Sequence, residues 1–164
     1  MKVTTHATYV LGPDEILEII ADEEFQEEKC RATYAVAYSV SVRERAGRLV
    51  VTTERSMPME HLPEIARGFV GNRLVIHESQ EWHGPNANGL YTADLKVHVA
   101  GAPITGTGRR VLAPTGSGSR DQIDFAIKAA IPLIGRKIEE AAGPPVGAAA
   151  EIETELLAAR ANGG

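Results

Sequence analysis

The sequence has one cysteine, no block of basic residues and no long apolar run, and each absence excludes a class of protein. With Cys30 alone, no disulfide can form within the chain, which is typical of proteins in a reducing cytosol. The N-terminal residues lack the apolar core of a signal peptide. The longest weakly polar stretch, residues 126–135, contains Lys128 and Pro132 and is far shorter than the roughly 20 residues of a membrane-spanning helix. We therefore expect a cytoplasmic, soluble protein without stable membrane insertion.

Charge and size point to one globular domain that does not bind nucleic acid. The net charge is -5 and the isoelectric point is about 5.6, whereas nucleic-acid binding usually requires a basic stripe. Hydrophobic residues make up 43% and charged residues 24%, so the chain can build a core. Its 164 residues are ordinary for one domain, and we expect a single domain over residues 1–164.

The sequence carries no local motif for a cofactor or for nucleophilic catalysis. No Gly-x-Ser-x-Gly is present. The stretch Gly106-Thr107-Gly108-Arg109-Arg110 precedes no helix and no Gly-Lys-Ser/Thr, so it fails as a phosphate loop. We interpret its glycines as positions where a strand bends. Cys30 lies between two basic residues at a helix end, and we interpret it as a structural or idle cysteine. No cofactor is expected.

A metal site is not expected either. His77, Glu81 and His83 lie on one predicted strand, where positions four apart are about 13 Å from each other. A zinc ion needs ligands about 2 Å away. One strand therefore cannot hold the ion, and folding would have to bring in other histidines, namely His6, His61 or His98.

Alternation and turn residues predict an α+β chain whose strands form a curved, seven-stranded antiparallel sheet. A first strand at residues 3–10 is followed by a helix starting at Pro13 and a second helix capped by Asp22. Six strand-like runs follow, at residues 33–45, 48–56, 73–83, 90–99, 104–113 and 121–130. Residues 57–71 interrupt them as a long connection with a short helix possible at 62–69.

A C-terminal helix is predicted to start at Pro132 and to be kinked or broken at Gly143-Pro144-Pro145, because proline removes backbone donors and clashes with the preceding turn. Residues 131–142 should then grip the sheet. The next helical segment, near Ala149 to Ala159, should lie elsewhere, over a cavity mouth or against a partner.

Two segments resemble a known superfamily. Gly12-Pro13-Asp14-Glu15-Ile16, followed by Asp22-Glu23-Glu24-Phe25, resembles the opening of START-like (SRPBCC, helix-grip) proteins, which include the birch pollen allergen. The ending around Ile131-Pro132-Leu133-Ile134-Gly135 resembles an actinobacterial branch known only as a domain of unknown function. The resemblance implies a cavity between the sheet and the long helix for lipids or other hydrophobic molecules. Relatives include cyclases, dehydratases, hydrolase-like enzymes and co-chaperones, and no catalytic residue can be transferred.

On this basis the candidate residues for the ligand cavity are Tyr34, Tyr38, Ile76, Glu78, Gln80, Trp82, Tyr91, Leu95, Arg109, Phe125, Ile127, Ile134 and Ile138. Burying Glu78 and Gln80 costs free energy unless they find partners. They lie at a wet cavity mouth, pair internally, for example with Arg109, or are turned outward by a bulge. Trp82 is expected to face Tyr91 across a hairpin.

Three functions remain open at this point. The leading hypothesis is a non-catalytic protein that binds a hydrophobic small molecule or lipid. The second is a cyclase- or hydrolase-type enzyme with Glu78 or a histidine as general base. The third is a protein–protein or co-chaperone module that uses residues 57–71 and the C-terminal helix. The sequence leaves the oligomeric state open, including a homodimer.

Overall fold

Seven antiparallel strands form one curved sheet around a long C-terminal helix. A computed structural model describes residues 1–163, with every side chain among them except that of His61. The strands lie in the order β1-β7-β6-β5-β4-β3-β2. They are β1 (Lys2–Tyr9), β2 (Ala37–Arg45), β3 (Arg48–Met57), β4 (Leu74–His83), β5 (Tyr91–Val99), β6 (Ile104–Thr115) and β7 (Gly118–Ala129). The helices are α1 (Pro13–Ile20), α2 (Glu23–Ala32) and α3 (Gly135–Ala161). The predicted order of elements and the fold class are confirmed.

The two short helices form where the sequence signals place them. Pro13 occupies the first turn of α1, where its missing N–H would have no partner, and Ile16 and Ile20 are fully buried. Asp22 caps α2, because its carboxylate accepts a hydrogen bond from the backbone N–H of Glu24 at 3.0 Å. Phe25 then anchors α2 in the core.

The helix α3 is continuous, so the predicted break at Gly143-Pro144-Pro145 is wrong. It runs for 27 residues with Pro144 and Pro145 inside it. Both halves bury apolar side chains, with Ile138 1% and Leu157 0% exposed, so the grip on the sheet is not limited to the first half. Packing of a whole helical face therefore outweighs the local cost of the prolines. The alternative form of the prediction, a kink, stays a prediction.

The start of α3 also differs from the sequence prediction. The helix begins at Gly135 and not at Pro132, because Leu133 adopts a φ of 71°, which no right-handed helix accommodates. A Cβ at Gly135 would lie 2.3 Å from the carbonyl oxygen of Ala129, so only glycine allows the helix to begin so close to the end of β7.

Strand β2 begins four residues later than predicted. The Thr33 hydroxyl donates to the carbonyl oxygen of Lys29 at 2.8 Å and so closes the last turn of α2. Tyr34 has a φ of 70°, and the chain becomes extended in β2 only at Ala37. Local side-chain bonding thus extends the helical region into a stretch whose alternation predicted strand.

The pairing between β4 and β5 is shifted from the predicted one by two residues. Trp82 lies opposite Ala93 and not opposite Tyr91. The side chain of Asn86 accepts hydrogen bonds from the backbone N–H groups of Asn88 and Leu90, which organises a wider loop than the expected turn.

The connection between β3 and β4 contains two 3-10 helices, Met59–His61 and Glu64–Phe69, in place of the predicted helix at 62–69. Leu62 and Ala66 from this connection pack with Leu74 and Ile138 in a second apolar cluster at one end of the sheet. No helix within residues 1–163 combines the length and the apolar character needed to cross a membrane.

Pro144→Ala should stabilise the protein. The change restores one backbone donor and removes the ring from the helix interior, which is worth roughly 3 kcal/mol. The more flexible unfolded chain offsets roughly 1 kcal/mol of this gain. We expect the free energy of unfolding, measured by urea denaturation, to rise by about 2 kcal/mol. Pro13→Ala is the control, since proline costs nothing at the first turn of α1, and an equal effect of both changes would contradict the interpretation.

Candidate functional site

Two adjoining chambers lie between the sheet and α3. The first, here called the polar chamber, has a volume of about 170 Å³, and its lining includes the charged or polar side chains of Lys29, Arg55, Glu78, Gln80, Arg110 and Glu153. The second, here called the apolar chamber, has a volume of about 130 Å³, and its walls include Leu62, Leu74, Val99, Ile127, Ile138 and Pro145. The site therefore has one end, the charged end, where charged groups interrupt a largely apolar lining, and another, the apolar end, that is apolar almost throughout.

One face of α3 forms the roof of the polar chamber. Val146, Ala149, Ala150 and Glu153 follow each other at i, i+3, i+4 and i+7, so they point to the same side of the helix. The two alanines are short, and this leaves open space between the helix and the sheet. Glu153 reaches into the protein from the end of this face and is only 8% exposed.

Six charged side chains, five buried and Glu78 partly exposed, form a continuous chain of ion pairs next to the polar chamber. We call it the charge chain, and it runs, in order of contact, through Arg55, Glu78, Lys29, Glu153, Arg110 and Asp121. At its centre the Lys29 Nζ lies 2.8 Å from Glu153 Oε2 and 3.3 Å from Glu78 Oε1. Three cations and three carboxylates alternate, so the charge chain as a whole carries no net charge.

The pairing keeps these groups ionised in spite of their burial. Burial alone would neutralise Glu153, but Arg110 and Lys29 lower its pKa to about 2. Burial likewise opposes ionisation of Glu78, and the adjacent Lys29 and Arg55 lower its pKa. Burial also disfavours the charged form of Lys29, yet Glu153 and Glu78 together raise its pKa. Each charge is therefore held in place by its neighbours.

Hydrogen bonds connect the charge chain to the core. Arg110 donates to both carboxylate oxygens of Asp121, at 3.0 and 2.7 Å, and its guanidinium lies 5.6 Å from the ring centre of Trp82. The indole N–H of Trp82 donates to Gln80 Oε1 at 3.2 Å, and Gln80 Nε2 donates to Glu78 Oε1 at 3.4 Å. Of the three interpretations of Glu78 and Gln80, the geometry combines internal pairing with a place at a cavity.

Seven of the thirteen predicted residues line one or both chambers: Ile76, Glu78, Gln80, Leu95, Phe125, Ile127 and Ile138. The other six do not line either of them. Ile134 packs against the second apolar cluster, and Trp82 is 2% exposed below Gln80. Tyr34 is 63% exposed, and the hydroxyl of Tyr38 accepts a hydrogen bond from Arg31 at 2.8 Å on the surface. The role of the seven in binding a ligand stays a prediction.

Tyr91 and Arg109, two of the predicted cavity residues, lie outside the lining of both chambers. The Tyr91 hydroxyl donates to Asp14 on α1 instead of facing the chambers. Arg109 is exposed on the outer face of β6, and its neighbour Arg110 is the buried cation. The alternation of β6 contains this signal, since Arg110 shares the parity of the buried Ile104 and Leu112. Sequence reasoning also missed Lys29, Arg55 and Glu153.

Among the side chains that the structure describes, no histidine and no cysteine lines either chamber. Among the described side chains, no three of His, Cys, Asp or Glu are grouped so that they could hold a metal ion. His77 and His98 stack at 4.5 Å between ring centres, away from the lining of the chambers. Cys30 is fully buried, and burial raises the pKa of its thiol, so it is poorly suited to act as a thiolate.

Glu153→Gln should destabilise the protein strongly. The change leaves Lys29 and Arg110 with too few carboxylates in a buried place, and breaking such a pair costs about 3–5 kcal/mol. Urea denaturation measures the loss. Glu151→Gln, an exposed position on the same helix, is the matched control and should change little. A loss below about 1 kcal/mol for Glu153→Gln would show that the charge chain is not tightly coupled.

The charge chain should also make stability depend on acid pH. The pKa of Glu153 is lower in the folded protein, about 2, than its ordinary value of 4.5. The stability that this group contributes is therefore complete above pH 4.5 and is lost as the pH falls from 4.5 toward about 2. Unfolding measured across this window should show a shallower decline in Glu153→Gln than in the unchanged protein. Parallel declines would contradict the assignment.

Comparison with known proteins identifies the family. The family model described as protein of unknown function (DUF2505) matches residues 4–160. An uncharacterized protein of Mycobacterium tuberculosis, Rv0481c, is 28% identical over 109 residues, which cover 65% of this chain and 62% of that protein. The match thus spans less than two thirds of the length of this curated relative.

Solved structures with low sequence identity have the same fold. A START superfamily protein from Mycobacterium smegmatis superimposes with a TM-score of 0.57 at 15% identity, covering 98% of this chain and 97% of the other. A STAR-related lipid transfer protein from Xanthomonas axonopodis gives a TM-score of 0.57 at 12% identity, covering 94% and 85%. The chain has a START-like fold, and it belongs to the DUF2505 family of proteins of unknown function.

Proposed function

We propose that this protein binds a hydrophobic small molecule or lipid in the space between the sheet and α3. The observation that carries the proposal is the pair of chambers, which share four lining residues, Ile76, Val97, Phe125 and Val146, and therefore adjoin. Each chamber is smaller than the roughly 300 Å³ of an ordinary ligand pocket. A ligand of usual size would therefore extend through both.

The lining favours a ligand with one polar end. The apolar chamber offers mainly aliphatic side chains such as Leu74 and Ile138, which suit a hydrocarbon tail. The polar chamber offers charged groups, so a polar head would lie there. Because the charge chain is already neutral as a whole, an added charge would lack a counter-ion, and an uncharged head such as a hydroxyl or ester group fits better.

The solved relatives support this proposal in general terms. One START-like neighbour is named a STAR-related lipid transfer protein, and the sheet and long helix that enclose the chambers are what this chain shares with it. The family is described as one of unknown function, so only the chambers indicate the chemistry of the ligand.

The chambers favour binding over acid–base catalysis. Glu78 lines the polar chamber, but its ion pairs with Lys29 and Arg55 lower its pKa and make it a weak base. Within the part of the chain whose side chains are described, no histidine lines either chamber. In this proposal, residues 57–71 serve the cavity, because Leu62 and Pro63 form part of the wall of the apolar chamber.

Ala150→Phe should abolish ligand binding by filling the polar chamber, which Ala150 lines. Gently purified protein would be extracted with solvent for bound apolar compounds and titrated with a lipid panel. The readout is the fluorescence of Trp82, the single tryptophan. Its indole N–H donates a hydrogen bond to Gln80, which lines the polar chamber, so a ligand that contacts Gln80 should change the surroundings of the indole.

Ala148→Phe, on the exposed side of the same helix, is the control and should bind normally. Equal binding by both variants would place the ligand outside the polar chamber. The proposal itself would be refuted if the unchanged protein released no apolar compound on extraction and showed no saturable binding to any lipid of the panel.

A further inference from the structure

A seat of two glycines lies beneath the ring of Phe125. Gly106 and Gly108 occupy positions of β6 at which a side chain would point to the concave side of the sheet. The neighbouring strand is β7, in which Phe125 lies opposite Gly108. A Cβ at Gly106 would lie 2.1 Å from Cζ of Phe125, and one at Gly108 would lie 2.8 Å from its Cδ2. The ring thus lies flat over the places where two side chains are missing.

The same ring lies at the boundary of the two chambers. Phe125 is one of four residues that line both, together with Ile76 and Val97 on the sheet and Val146 on α3. It is the largest of the four side chains. We therefore expect the position of this ring to set how widely the two chambers connect.

We infer that the glycine seat of Gly106 and Gly108 sets the length of the ligand, by holding the Phe125 ring against the sheet and out of the passage between the chambers. The ligand is then an elongated amphiphile with a single unbranched tail, which passes Phe125 into the apolar chamber while its head stays in the polar chamber. This inference rests on the proposed function and adds the class of molecule and the residues that select it.

A methyl group at position 106 would close the passage. The backbones of β6 and β7 are paired along their whole length, so neither strand can move away from the added atom without breaking ladder hydrogen bonds. The ring is the part that can turn, and the sheet blocks it below. It would swing upward toward Val146 and separate the chambers. At Gly108 a Cβ would instead meet the backbone oxygen of Asp124 at 2.4 Å, so that position is unsuitable for the test.

The test is a series of straight-chain alcohols from hexanol to dodecanol, titrated by Trp82 fluorescence and by calorimetry. In the unchanged protein, affinity should rise about fourfold with each methylene, because each buried methylene adds about 0.8 kcal/mol. In Gly106→Ala the rise in affinity should stop at a shorter alcohol than in the unchanged protein. Phe125→Ala combined with Gly106→Ala should restore the rise. Gly116→Ala, where an added Cβ meets nothing within 4 Å, is the control and should behave as the unchanged protein.

The outcomes separate this inference from the proposed function. If the unchanged protein binds no alcohol, the inference is refuted, whereas the proposed function is decided separately by the solvent extraction and the lipid panel. If it binds them but Gly106→Ala keeps the same dependence on chain length, or the double variant does not restore it, only the inference on the glycine seat is refuted. Phe125→Ala alone provides a second route should Gly106→Ala fail to fold. This variant should accept branched alcohols that the unchanged protein excludes, and their continued exclusion would overturn the inference.

Discussion

The buried charge chain is the constraint on which the rest of the structure depends. Its members come from α2, from four strands and from α3, and among the described residues their ion-pair partners all belong to the charge chain itself. A shift of α3 by one turn would take Glu153 away from both Lys29 and Arg110 and leave each of these buried cations with a single carboxylate partner, Glu78 or Asp121. The chain of ion pairs therefore fixes both the height and the rotation of α3 over the sheet.

The open space in the protein follows from this fixed placement together with small residues on both walls. On the helix, Ala149 and Ala150 face the sheet, and on the sheet, Gly106 and Gly108 leave room for an aromatic ring. Larger residues at these places would give an ordinary packed core. The charged end keeps its shape because its groups are paired, and the apolar end keeps its shape because aliphatic side chains pack around it.

Much of the fold could be predicted from the sequence, because alternation, turn residues and helix caps are local signals. The continuity of α3 could not, since the local cost of Pro144 and Pro145 is visible in the sequence while the compensating packing of Leu157 is not. Three of the six charged residues could be found from the sequence: Glu78 was predicted, Arg110 shares the parity of Leu112, and Glu153 follows Ala149 by four residues on an apolar helical face. Which of these charges form ion pairs with one another depends on the order of the strands and on the docking of the helix. Neither can be predicted from any single segment of the sequence.

The charge chain also has a consequence for how the molecule folds. Lys29 and Glu153 are 124 positions apart in the sequence, and β1 pairs with β7, so the contacts that complete the structure join its most distant parts. Such non-local topologies fold slowly. With α3 undocked, the cations of Lys29 and Arg110 would lack the carboxylate that they share, and hydration would be their better alternative. We therefore expect docking of the helix, closure of the sheet and exclusion of water from the interior to be coupled, since a half-docked helix leaves the charge chain incomplete.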